Sequence, residues 1–131
     1  MSSYSSRGPT LYDHVLKPDL LAPGNKVIGP FAAGGAIASL LPGGKVFCGK
    51  SGNTCSWRYL ELSGTSMAAA VVSGAVTRML DKDPTLNPAT VKARLMRSAR
   101  KMAGDATVTG AGVLDVEAAM NETGQGSTLA A

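Results

Sequence analysis

"YLELSGTSMAAAVVSGAVTRML", residues 59–80, changes its period in the middle. Up to Leu62 the pattern partly alternates, which predicts a strand over Arg58 to Leu62. Beyond Gly64 the apolar residues recur at four-residue spacing: Met67, Val71, Ala75 and Met79. Val72, Val76 and Leu80 widen that stripe, so a helix is predicted from Thr65 or Ser66 to Leu80. Its other side carries mainly Ala, Ser, Gly and Thr, and a helix apolar nearly all round is a buried one. Ser66 stands at its start. There the first backbone N–H groups have no partner within the helix, and the dipole favours negative charge. A serine hydroxyl is a poor nucleophile unless a base takes its proton.

The flanking sequence fits one α/β domain of 131 residues. Hydrophobic residues make up 44% and charged residues 17%, a globular composition rather than a disordered one. Aromatics are only 5% against 16 glycines, so packing by Ala, Val, Leu and Met with many tight turns is expected. Lys26 to Gly29 reads as a short strand after the Pro23-Gly24 turn, and "SSYSSRG" as another before Gly8-Pro9. The glycine-rich stretch 30–56 has no clear period and reads as a long loop with room for one hairpin. Asn87 caps a second helix with Pro88 at its first position, running to about Met102. Val91, Leu95, Ala99 and Met102 form its inner face. "GAGVLDVEAAM" reads as a turn, a short strand and a closing helical turn. Residues 1–120 form the expected domain and 121–131 a flexible tail.

Charge and hydropathy narrow the function classes. A net charge of +4 is modest. The basic helix "KARLMRSARK" has no interleaved aromatics for base stacking, so no nucleic-acid partner is expected. The longest apolar run, Met67 to Val72, is far below the roughly 20 residues of a membrane span. The N-terminus has no apolar signal core, so the sequence as written is expected in the cytoplasm, with Cys48 and Cys55 as reduced thiols.

The blocks "SSYSSRGPT", "KPDLLAPG", "SGTSMAAAVVSGAVTRML" and "GAGVLDVEAAM", in this order, strongly resemble the C-terminal portion of a subtilisin-like serine protease, a subtilase. The resemblance covers roughly residues 2 to 120. It implies an α/β fold with a parallel sheet, here an incomplete one, around the buried central helix that follows Gly64-Thr65-Ser66-Met67-Ala68. It also implies that Ser66 is the nucleophile and that its own backbone N–H is one oxyanion donor. In the family the order is Asp, then His, then Ser. The Asp and His motifs, and the asparagine that supplies the other oxyanion donor, belong ahead of "SSYSSRG". The sequence thus resembles a truncated subtilase with one catalytic residue of three, and no peptidase activity is expected of it alone.

Three other groups are candidates to replace the base that the resemblance places elsewhere. His14, in "YDHVL", does not resemble the family's histidine motif. Asp13, its neighbour, is badly placed to orient it because adjacent side chains on an extended chain point to opposite faces. Asp19 reads as a structural residue that fixes a loop. Cys48 and Cys55 have C-x6-C spacing. In a secreted parent, usual for the family, they would form a loop disulfide. As free thiols with His14 they match the ligand count of an open Cys₂His zinc site, able to activate water. A free cysteine with His14 as base is a further variant. The leading expectation is a residual hydrolase of small activated esters or phosphoesters using Ser66. A zinc-dependent hydrolase at Cys48, Cys55 and His14, and a non-catalytic half of a split protease that needs a partner chain, are the alternatives. Apolar helix faces and open sheet edges lead to an expected homodimer or larger oligomer.

Overall fold

The computed structural model describes residues 2–30, 32, 35–46 and 59–126. β1 is Val27–Pro30, followed by the short helix α1, Ala36–Leu40, and a single 3₁₀ turn at Pro42–Gly44. β2 is Lys45–Val46 and β3 is Tyr59–Leu62. The helices α2 (Thr65–Lys82), α3 (Pro88–Ser98), α4 (Ala106–Thr109) and α5 (Val116–Asn121) complete the order. No helix among the described residues is long and apolar enough to cross a membrane.

The fold class is α/β, as expected. The sheet among the described residues is antiparallel, in the order β1-β3-β2, where the resemblance implied a parallel one. Val27 faces Leu62 and Gly29 faces Leu60, while Lys45 faces Leu60 from the other side. Alternation along β3 puts Leu60 inside, 3% exposed, and leaves Tyr59 and Glu61 outside. Parallel pairing survives as one bridge, Leu21 with Val113, and Val113 pairs antiparallel with Arg100 on its other side. This second pairing ends α3. Arg100 and Val113 exchange two backbone hydrogen bonds of 2.8 and 2.9 Å. The chain must leave helical geometry at Ala99 to make them, so α3 stops short of the expected Met102, which is 47% exposed.

The core sits where α2, α3 and α5 meet. Ala75, Met79, Val91, Leu95 and Ala119 form one buried cluster, with Ala119 fully enclosed. The starts of α3 and α5 are each fixed by a side chain, at α3 by the expected Asn87. Asn87 accepts from the Thr90 N–H at 2.8 Å, and Asp115 from the Ala118 N–H at 3.0 Å. The segment after α5, expected as tail, lies along α3: Arg94 Nε donates to the Gly124 carbonyl and the Gly126 N–H to Thr90 Oγ1.

One expectation is corrected. α2 is not buried all round: Ala75 and Met79 are its only buried residues. Ala69, Ala70, Ser73, Gly74 and Thr77 are exposed. The reason is layering. A helix is enclosed only when packed on both flanks, and here α5 and α3 take one end of one flank. Apolar grooves of about 610 and 600 Å³ remain, toward α3 and toward the sheet. The Ser73 and Thr77 hydroxyls on the exposed side donate to the carbonyls four residues back, so these two polar groups are satisfied within the helix. A second correction concerns "SSYSSRG", which forms no strand; Tyr4 sends its hydroxyl to the Gly24 carbonyl instead.

Candidate active site

The site begins with a helix that has no side-chain cap. Gly64 occupies the N-cap of α2 and offers no acceptor to the first turn. Its carbonyl takes the N–H groups of Met67 and Ala68 at 3.1 and 3.3 Å. Among the described residues the N–H groups of Thr65 and Ser66 have no acceptor. Ser66 is exposed beside them. An exposed hydroxyl thus stands next to free amide donors at the positive end of an 18-residue helix.

This turn is fastened from the loop 23–26. The Gly64 N–H donates to the Gly24 carbonyl at 2.8 Å, and the Tyr4 hydroxyl donates to the same oxygen at 3.1 Å. The Lys26 N–H donates to Ser63 Oγ at 2.8 Å, which itself donates to Asn25 Oδ1 at 3.1 Å. A Cβ on Gly24 would lie 2.7 Å from the Gly64 carbonyl oxygen, so only glycine lets the two backbones approach this closely. Gly24, Asn25 and Ser63 thus hold the turn that carries Ser66, a role that nothing in the "KPDLLAPG" block announces locally.

Comparison with known proteins gives this geometry a context. The model of the subtilase family matches residues 1–115. The chain belongs to the subtilase family. It is 34% identical to the serine protease AprX of Bacillus subtilis (strain 168), over 89% of this chain and 24% of that protein. With subtilisin DY of Bacillus licheniformis it shares 37% identity, over 85% of this chain and 39% of the relative. Among solved structures it is similar to fervidolysin of Fervidobacterium pennivorans, a keratinolytic enzyme related to subtilisin. The TM-score is 0.57 at 25% identity, covering 77% of this chain and 15% of the other. The subtilase sequence in hand therefore spans well under half the length of these relatives.

Around Ser66 this subtilase chain offers no base among the described residues. His14 lies on an exposed loop with left-handed backbone, φ 52°. It makes no hydrogen bond to Ser66 and does not line the groove beside it. Asp13 is engaged elsewhere: its carboxylate accepts the Thr10 hydroxyl, and that bond holds it below the usual carboxylate range. The reading of Asp19 as a loop-fixing residue agrees with its contacts. Lys17 and Lys92 bind its two oxygens at 2.5 and 3.0 Å, and its carbonyl takes the Ala111 N–H. Partial burial pushes its carboxyl up, and the two lysines overcome that and hold it low. The turn it grips needs Gly110, at φ 55°, where a Cβ would meet the Pro18 carbonyl oxygen at 2.3 Å.

Cys48 and Cys55 lie outside the described residues. Among those described, no group of three or more His, Cys, Asp or Glu side chains gathers to hold a metal. The cations of α3 have internal tasks. Lys92 binds Asp19, Arg94 binds the Gly124 carbonyl, and Arg97 reaches Glu122 at 3.4 Å.

Proposed function

We propose that this chain carries the nucleophilic part of a subtilase-type hydrolase, with Ser66 Oγ attacking an acyl carbonyl. The observation behind this is the exposed Ser66 hydroxyl beside the N–H groups of Thr65 and Ser66, which have no acceptor among the described residues. In attack a bond forms from Oγ to the carbonyl carbon, and the carbonyl oxygen takes up negative charge. The Ser66 N–H and the helix dipole lower the energy of that oxyanion. The Oγ proton must leave, and no described side chain is hydrogen-bonded to accept it. Peptide hydrolysis, which also needs a proton for the amine leaving group, therefore requires an acid–base group from outside this sequence.

Alone, the chain is suited to activated esters. In a p-nitrophenyl ester the leaving phenolate needs no proton, and water can accept the one from Ser66. Phosphoesters suit the site less, because phosphoryl transfer leans on cations and none of the described residues lining the groove at Ser66 is cationic. The test is p-nitrophenyl acetate hydrolysis with intact-mass detection of acetylated protein. An adduct on Ser66, lost in Ser66→Ala and indifferent to EDTA, is expected. Turnover that survives Ser66→Ala would overturn the reading. Turnover lost to EDTA and restored by zinc would move the chemistry to Cys48, Cys55 and His14.

A further inference from the structure

Residues 9–17 form a loop that is fastened at its base and clamped at its tip. At the base the Gly8 N–H donates to the Thr107 carbonyl at 2.9 Å. The Gly8 and Lys17 backbones lie so close that a Cβ on Gly8 would run into the Lys17 carbonyl. Near the tip the Thr10 N–H donates to the Val15 carbonyl at 3.0 Å and the Val15 N–H to Thr10 Oγ1 at 2.8 Å, while the Thr10 hydroxyl binds the Asp13 carboxylate. Inside this clamp Leu11 and Tyr12 are 85% and 95% exposed, and Val15 and Leu16 beside them are 45% and 53% exposed. We propose that this tip is a plug for a second copy of the chain. Leu11 and Tyr12 enter the apolar groove between α2 and α3 of the other molecule, and the exchange is reciprocal. Nothing in this contact depends on Ser66 as a nucleophile.

Scattered exposed apolar side chains need no explanation, but Leu11, Tyr12, Val15 and Leu16 stand together on one loop. The clamp holds that loop in one arrangement, so a partner gains apolar burial with little further ordering. The groove is the complementary surface. It has a volume of about 610 Å³ and is walled by Val72, Val76 and Leu80 of α2 and by Val91 and Leu95 of α3. Such a volume accommodates a small ligand, and so a tyrosine and a leucine side chain. None of residues 11–16 lines it, so the tip does not fill the groove of its own chain. Charge favours a second copy over a lipid surface. Asp13 sits at the tip next to Tyr12, and a bilayer would have to take its carboxylate out of water. In the groove the tip meets Lys92 instead, whose side chain is 56% exposed and whose ammonium carries more donors than its contact with Asp19 uses.

Reciprocity follows from where plug and socket lie. Asp19, just beyond the Lys17 that closes the loop, lines the groove, and so does Leu20. Loop base and groove therefore share a border, and a two-fold axis can seat both plugs at once. A single plug is small against the roughly 1,200–2,000 Å² of a stable interface, and symmetry doubles what it supplies. With plug and socket on opposite sides of the molecule, the same contact would instead propagate into open chains.

The test is sedimentation velocity of the full chain over a concentration series, where a monomer–dimer equilibrium is expected. In Leu11→Ser/Tyr12→Ser the Kd should rise by at least about a hundredfold, because each change counts twice in a two-fold dimer. Both residues are exposed and the clamp runs through Thr10, Asp13 and Val15, so the circular dichroism should stay as it is. Ser73→Arg, which sets a large side chain at the groove from an exposed helix position, should weaken the dimer as strongly. A photocross-linker, p-benzoylphenylalanine in place of Tyr12, locates the contact in a mixture of ¹⁴N and ¹⁵N protein. Its cross-links should join the two isotopes and fall within residues 19–20 or 69–96. A dimer that either variant leaves untouched, cross-links confined to one chain or to other residues, open polymers in place of a dimer, or a monomer at every concentration would each overturn the proposal. So would a monomer that binds phosphatidylcholine vesicles through Tyr12, which would make the tip a membrane anchor.

Discussion

Replacing Gly24 with alanine should disturb the turn that carries Ser66, the proposed nucleophile, without touching Ser66 itself. The new Cβ would sit 2.7 Å from the Gly64 carbonyl oxygen, 3.0 Å from Ala68 Cβ and 3.2 Å from the Ala68 nitrogen. Two of these neighbours are backbone and the third is a Cβ, so none can swing aside as a long side chain would. The loop 23–26 and the start of α2 must separate. Overpacking of this kind costs about 1–3 kcal/mol. Separation also breaks or lengthens the 2.8 Å bond from the Gly64 N–H to the Gly24 carbonyl. Its loss adds about 0.5–1.5 kcal/mol. Together these predict a fall in Tm of about 5 °C or more. The turn carries Ser66, and a misplacement approaching 1 Å can slow a positioned nucleophile by about a hundredfold. Labelling of Ser66 by a fluorophosphonate should therefore slow by about tenfold to a hundredfold in Gly24→Ala, measured where the variant is still folded by circular dichroism. Gly29→Ala is the control, since nothing lies within 4 Å of a Cβ there. Wild-type stability and wild-type labelling in Gly24→Ala would refute the claim that this contact sets the turn.

Gly74 gives the opposite sign: it lies inside α2 with nothing within 4 Å of an added Cβ. Gly74→Ala should stabilise by about 0.5–1 kcal/mol in urea titrations, and destabilisation would mean that face is packed. Asn87→Ala removes the acceptor of the Thr90 N–H and should cost about 1 kcal/mol. Asp19 has a folded-state carboxyl pKa below its ordinary value, so its contribution is present above that value and fades as pH falls through the lowered one. Asp19→Asn should therefore cost about 0.5–1 kcal/mol at neutral pH and nothing in strong acid; a pH-independent difference would remove the ion pairs from the account. Exposed apolar flanks of α2 make self-association the expected solution behaviour, and a compact monomer at all concentrations in sedimentation velocity would contradict it.

The elements that sequence reading placed well are those whose signal is local. α2 follows from its four-residue recurrence, and the start of α3 from Asn87-Pro88. β3 was placed to within a residue, because alternation and the Ser63-Gly64 break bound it. What escaped depends on partners distant in sequence. α3 ends early because Arg100 pairs with Val113, and nothing near Arg100 announces that partner. "SSYSSRG" has the composition of a strand, but its tyrosine is used to hold Gly24. α1 lies in the stretch expected as loop, because "AIASLL" is too short to show a period, although Pro42-Gly43 after it marks a stop. The burial of α2 was overestimated for a related reason. Periodicity reports which faces could be covered, while coverage depends on the layers that arrive.

The same distinction accounts for what the Ser66 site holds. The oxyanion side proposed for it is built from a few consecutive residues: a glycine that cannot cap, a helix that follows it, and the amides of that first turn. Those features come with the helix wherever the "SGTSMA" stretch folds, and so they were legible in the sequence. A general base is different in kind. It must cross space to reach Oγ within hydrogen-bond distance, which requires a separate element fixed against α2. No described residue does this; His14 is held on its own loop, where Thr10, Asp13 and Val15 bond to one another. The two halves of a serine hydrolase site therefore have different dependence on tertiary structure. The amide part of the proposed oxyanion side comes with α2 itself, so residual reactivity is expected toward carbonyls that need little help with the proton.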